Sequence, residues 1–498
     1  MDNYRGSFLI LQGGQAAATT FRTGLGTGLV DVFGEVRIEG SNGTARGSAD
    51  ANANTWVFHP GSRIRFDNGT PLSTASTQGR WADTAPIALN TTVLELYGDG
   101  AASAYNTETV GALSVAGGSE VLVRRRGAFL AELIAGDVTR VGSGTLMVTG
   151  MDTNTNTSTG LGAAGSTTAM RFLSSNGATL MTNGMVAPWI TERVGNQFLK
   201  YDAALGFIPV TTGGAPANYV TSAGGTLTVA ANDGTTILSL GTATATLGAD
   251  LDLHALRTDR DINVSADGRF NRITLRSGGL LQSGNTPTIN ADLYFGSAGD
   301  GTGEALVWAS NNTLQLNGRV FASQLTKSGT AFLNLRADQP QFAGDWTVNG
   351  GGIQFLTPGA PGAGTVSLMG SRMTDRDNTF SLAEVRYNFN SGSPDLFTWS
   401  GGAITAYDYN RVYGVLANDR LQQIPALHLR TTNAVAGVGQ PGTLLVQVNG
   451  SRSTLRTGTV TLHDHYQVFV EAGSFGTGSS TGLQLGAGAL PGGRIAGL

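Results

Sequence analysis

The chain has 498 residues, 40% of them hydrophobic and 13% charged, with 73 glycines, no cysteine and a formal net charge of -4. Glycine stands at about twice its usual share but follows no triplet order, which excludes collagen. The charge supplies no field for holding nucleic acid, and without cysteine there is no disulfide, thiolate nucleophile or Cys-based zinc site.

From the N-terminus, short strands alternate with glycine-, asparagine- and aspartate-rich turns. Residues 7–11, 29–33, 36–38, 55–58 and 63–66 read as strands, each closed within a few residues by a turn former. The apolar run Phe8-Leu9-Ile10-Leu11 is too short for the core of an export signal, and no run approaches the length of a spanning helix. No membrane-spanning segment and no attached signal are therefore expected.

Strands follow at 91–97, 111–115, 120–123 and 144–148. Residues 128–134 are the best short helical stretch, although Gly136 follows closely. The basic run Arg124-Arg125-Arg126 is too short to track a phosphate backbone and reads as a solvated rim. The polar stretch 152–159 has little to bury and is expected to be a surface loop or a boundary. Between 160 and 220, Pro188, Trp189, Tyr201 and Phe207 suggest a packed hairpin or lid.

The rhythm resumes with Gly225-Thr226-Leu227-Thr228-Val229 and continues through 235–240, 271–275, 305–308, 313–316, 331–335, 353–355 and 365–368. A single sandwich or barrel is too small for so many strands, whereas a solenoid grows by adding coils that touch mainly their neighbours. The expected fold is all-β, a right-handed parallel β-helix or solenoid with loop insertions and a C-terminal β cap. Several β-sandwich domains are the alternative. Four segments are expected: an N-terminal solenoid over 1–150, a polar loop and packed insertion over 151–220, a central solenoid over 221–370 and an aromatic-rich β segment over 371–498. The last contains Tyr387, Phe389, Phe397, Trp399, Tyr407, Tyr409 and Tyr413, which suit a cap or interface, or else carbohydrate stacking.

Two constellations could carry chemistry. In a continuous strand Asp259 and Asp261 would share one face beside Arg257 and Arg260, a spacing that suits paired carboxylates in acid-base catalysis, although a solvated turn is the plainer reading. His463 and His465 would likewise share a face and could make a two-histidine metal contact, but spacing supplies no third ligand. Asp300-Gly301 and Asp267-Gly268 are turn signals, and Gly24-Leu25-Gly26-Thr27-Gly28 lacks the spacing of a phosphate loop. No cofactor is expected.

The segment Leu325-Thr326-Lys327-Ser328-Gly329-Thr330-Ala331-Phe332-Leu333-Asn334-Leu335, followed by Phe342-Ala343-Gly344-Asp345-Trp346-Thr347-Val348-Asn349-Gly350-Gly351-Gly352-Ile353, resembles the bacterial autotransporter-associated β-strand repeat proteins. Gly144-Thr145-Leu146 and Gly225-Thr226-Leu227 carry the commoner form of the motif, and the resemblance covers roughly residues 80–370. It implies a passenger-like β-helix, export, and a surface, adhesive or scaffold role, and it carries over no catalytic residue. An outer-membrane barrel would have to lie elsewhere in the gene product, because the Gly/Ala-rich end cannot supply the membrane strands.

The favoured function is therefore an extracellular or bacterial cell-surface structural or adhesive solenoid. It would self-associate as a surface-layer or filament component, with copies of itself or neighbouring surface proteins as partners. The alternative is a β-helix that binds or processes an extracellular polysaccharide.

Overall fold

A computed structural model describes residues 8–13, 19–20, 29–32, 34–40, 43–44, 55–68, 79–98, 106–126, 130–152, 157–158, 161–162, 170–370, 383–388, 396–398, 402–407, 409–415, 421–430, 442–449, 454–462, 466–472, 482–484 and 494–497. Among the described residues the protein is all-β with mostly parallel sheets, and its helical content is the 3-10 turn Gly177–Leu180. Parallel pairing departs from the antiparallel sheets of a β-sandwich. The chain divides into two compact units, 1–217 and 218–498.

In the first unit the chain visits three parallel sheets in turn. Val93–Tyr97, Gly118–Arg125 and Thr145–Asp152 are consecutive strands of one sheet; Ile87–Asn90, Leu113–Ala116 and Val138–Arg140 of a second; Thr107–Val110, Ala131–Ala135 and Met170–Ser174 of a third. Alternation explains why they stand where they do. In Arg63–Asp67, Ile64 and Phe66 are buried while Arg63 and Arg65 are half-buried, the pattern of a strand with one apolar face. Trp81 fills the space between sheets, with its ring 5.0 Å from that of Trp56 and 5.7 Å from that of Phe66. Large rings meeting edge-on add specific geometry to their apolar burial.

Two expectations are corrected here. The helical stretch at 128–134 is instead the strand Ala131–Ala135, because Ala131, Leu133 and Ala135 are buried with period two and the backbone pairs on both sides. The polar stretch at 152–159 begins inside a strand. Asp152 is buried, and Met151 and Asp152 pair antiparallel with Thr157–Ser158. The packed hairpin expected before residue 220 is Gln197–Asp202 with Gly206–Pro209, added antiparallel to Ile190–Glu192. Phe207 stacks on Phe172 at 5.2 Å, and the Tyr201 hydroxyl donates to Ser174 O at 2.7 Å. Gly206–Pro209 is the last strand of this sheet among the described residues, and Pro209, lacking an N–H, suits an edge.

In the second unit the chain alternates between two parallel sheets. Gln324–Ser328, Trp346–Val348, Val366–Leu368 and Ile404–Tyr407 are neighbours in one; Phe332–Leu335, Gly352–Phe355, Ala383–Asn388 and Tyr409–Val415 are neighbours in the other. Their registers bring buried residues into columns, for example Leu325, Trp346, Val366 and Ile404. These columns belong to one continuous apolar core running from Leu227 to Val468. Close stacking explains several glycines. A Cβ on Gly344 would lie 1.8 Å from Ser323 O on the preceding turn.

A short ladder branches from the first of these two sheets: Asp292–Phe295 pairs with Arg272–Gln282 on one side and Val320–Phe321 on the other. It forms because the partner strand bends. Leu253 faces Leu275 but Ala255 faces Gly279, so His254 alone stands opposite 276–278.

Candidate functional site

The charged residues of the first unit meet on one sheet. Register places Arg37 beside Arg65 and Arg65 beside Glu95, while Asp67, Tyr97 and Arg124 form the next column. The buried Glu95 carboxylate forms ion pairs with Arg124, whose Nε lies 2.6 Å away, with Arg65, whose Nε lies 3.8 Å away, and with Arg63 through Nη2. Asp67 pairs with Arg37 at 2.5 Å and Arg65 at 3.1 Å, and the Arg65 guanidinium lies 4.3 Å from the centre of the Tyr97 ring. Arg125 pairs with Asp152 at 2.7 Å. Arg124 and Arg125 are thus not a solvated rim, because carboxylates on neighbouring strands pair with their heads, whereas Arg126 is exposed.

Other buried polar groups in this unit follow the same plan. Glu108 accepts the backbone N–H groups of Arg80 at 2.8 Å and Trp81 at 2.7 Å, fixing the loop that inserts Trp81. Burial lowers the Arg80 guanidinium to about 10, against the opposing pull of Glu108. Its Nε donates to Asn68 Oδ1 at 2.6 Å. His59 Nε2 lies 2.7 Å from Asp31 Oδ1, and burial holds the imidazole below its ordinary value although Asp31 opposes the shift.

In the second unit polar side chains again bond along the stacking direction. Asn290 donates to Asn263 Oδ1 at 2.8 Å, and Asn317 donates to Asn290 Oδ1 at 2.6 Å, each step being 27 residues. Arg319 forks onto Asp292 Oδ2 through Nε at 3.1 Å and Nη2 at 2.6 Å. On the same ladder the Arg272 guanidinium lies 3.9 Å from the centre of the Tyr294 ring, which stacks on Phe321 at 4.1 Å. Asp300 caps its own turn, accepting from Thr302 N at 3.0 Å and Oγ1 at 2.7 Å, and these bonds lower its pKa.

Asp259 and Asp261 do not lie on one continuous strand. Leu251–Thr258 ends before them and Ile262–Asn263 begins after them, so they occupy the corner between two sheets. Asp261 accepts the Thr288 N–H at 2.7 Å, 27 residues along, while Asp259 Oδ1 is buried without a hydrogen-bond donor. Of the cluster's arginines, Arg260 donates through Nε to Thr242 O at 3.1 Å and through Nη1 to the Asp259 backbone oxygen at 3.2 Å, and Arg257 Nη1 donates to Ser239 Oγ at 3.1 Å. The corner thus uses at least one of its carboxylates as a backbone cap.

His463 and His465 lie outside the described residues, as do Phe389 and Trp399; Tyr387, Phe397, Tyr409 and Tyr413 stand on described strands, but their own side chains are not among those described. No group of three or more His, Asp or Glu is placed to hold a metal among the described residues. No helix among them is long and apolar enough to cross a membrane.

Residue spacing gave no sign of the Glu95 cluster or of the buried Lys327. The available signal was a charged residue at an inward or shared position of an alternating strand, as in Leu325-Thr326-Lys327. No family model matches the chain, and no curated protein or solved structure matches it either.

Proposed function

We propose that the chain is a right-handed parallel β-solenoid with a structural or adhesive role outside the cell. In this reading the successive strands of each unit are the walls of stacked coils, and the role is to hold a long, stiff surface. The observation that carries it is the asparagine series Asn263, Asn290 and Asn317, in which like side chains hydrogen-bond at a constant 27-residue step. Identical polar groups repeat in this way where coils stack along a common axis, and each coil then stabilises the next. The arginine–carboxylate pairs support the same reading, since charges from neighbouring strands are directed at one another.

Self-association into a filament or surface layer, or docking beside other surface proteins, is the corresponding mode of action. Electron microscopy and sedimentation of the purified chain test it. Oligomers that extend into filaments or sheets as concentration rises are expected. A chain that stays monomeric at all concentrations would overturn the proposal.

The polysaccharide alternative has one observation in its favour, the half-buried pair Tyr294 and Phe321 on a single ladder. Against it, each ring has a face against the other, and Arg272 lies over Tyr294. Incubation with insoluble and soluble polysaccharides, scored for retention and product release, decides between the two readings.

A further inference from the structure

Lys327 occupies a core position. Its parallel partners are Val307 on one side and Val348 on the other, and Leu368 continues the column. All three partners belong to the apolar core, and Lys327 itself has no solvent exposure. Among the described residues no carboxylate pairs with it; burial pulls its pKa down, and hydrogen-bond acceptors around Nζ are what would oppose that pull and hold the charge.

Carbonyl oxygens take the place of a counter-ion. Lys327 Nζ donates to Gly329 O at 2.6 Å, to Gly350 O at 2.8 Å and to Ala331 O. An ammonium has three N–H donors and no lone pair, so three convergent acceptors match it; a neutral amine would turn its lone pair towards a carbonyl oxygen. The acceptors come from two successive corners, 329–331 and 350–351. The second corner is shaped to allow this. Gly351 has φ +63°, and a Cβ there would lie 2.6 Å from Nζ and 2.4 Å from Ala331 O.

We propose that the carbonyls of Gly329, Ala331 and Gly350 form a binding site for a primary ammonium ion, which the tethered Lys327 fills so as to clamp one corner of the fold to the next. The ligand class follows from the geometry. Three short, convergent acceptors suit a compact ammonium, whereas a planar guanidinium presents its donors in a fork and a quaternary ammonium has none.

Lys200 and Lys327 are the chain's two lysines, so the native protein supplies its own control. The full chain labelled with 15N-lysine should give one slowly exchanging protonated Nζ signal near neutral pH, and a mild acylating reagent should modify Lys200 and spare Lys327. A neutral Lys327 amine, or acylation of Lys327 in folded protein as fast as that of Lys200, would overturn the proposal.

The variants Lys327→Ala and Lys327→Met test occupancy. Protease cleavage between 327 and 352 should rise roughly tenfold or more in both, as a local clamp is lost. n-Propylammonium should restore protection to Lys327→Ala, tetramethylammonium should not, and Lys327→Met should respond to neither because its side chain takes the space of the lysine stem. Equal effects of the two cations on folded Lys327→Ala, or wild-type protection in Lys327→Met, would also refute the site. Should neither variant fold, the wild-type exchange and acylation results decide the matter.

Discussion

Asn290 donates its side-chain N–H to the amide oxygen of Asn263 at 2.8 Å, across a strand pair whose members are 27 residues apart. Asn290 also accepts from Asn317, so one substitution removes two rungs. Asn290→Ala should cost about 1–2 kcal/mol, the net worth of one or two neutral hydrogen bonds. Adding Asn317→Ala should then cost little more, because its partner is already gone. Urea unfolding of the two single variants and the double variant checks this; strict additivity would show that the series is not coupled.

Glu95 is the shared counter-ion of Arg63, Arg65 and Arg124. Glu95→Gln keeps the shape and removes the charge, leaving arginine heads on a buried face. The expected loss is about 3–5 kcal/mol, the usual effect of breaking a buried pair from one side. Arg124→Ala should be less harmful in the Glu95→Gln background than alone. A double-mutant cycle followed by chemical denaturation measures the difference.

His59 predicts a pH effect of definite sign. Its imidazole is held below the ordinary value of 6.5 by burial, so the unfolded chain takes up the proton first as pH falls. The stability it contributes is present above about 6.5 and is lost progressively as pH drops towards the folded value. Thermal midpoints of the wild type and His59→Gln between pH 8 and pH 5 should converge at the acid end as this contribution disappears. Curves that run parallel throughout would remove His59 from the explanation.

Gly344 tests the closeness of stacking. Gly344→Ala would place a methyl group 1.8 Å from Ser323 O, and the turn must move to admit it. A loss of about 1–3 kcal/mol is expected, the usual range for overpacking. Hydrogen exchange should quicken first around Asp345 and Trp346. Unchanged exchange there would mean that successive turns are farther apart than described.

Much of the local structure was legible in the chain. Arg63-Ile64-Arg65-Phe66 alternates, and it is a strand with Ile64 and Phe66 inward. Asp300-Gly301 reads as a turn, and Asp300 caps it. Legibility ended where a residue's role depends on a neighbour on the next strand of the sheet. Residues 128–134 offer at best a poor helical stretch when read alone, and two parallel neighbours make 131–135 a strand. Asp259 and Asp261 could be read as a facing pair or as a turn, and only the strands ending at Thr258 and starting at Ile262 place them at a corner.

Composition and alternation by themselves determined that this protein would be built of short strands and tight turns, because apolar residues with period two and glycine-rich breaks leave few other ways to bury a core. Which strands became neighbours, and with what offset, was decided only by the tertiary structure. Backbone hydrogen bonds are nearly the same for any pair of strands, so the choice falls to side chains distant in sequence that must match when stacked. That is why Arg124 meets Glu95, and why Lys327, at a position its neighbours fill with valine, finds three carbonyl oxygens at the corners beside it.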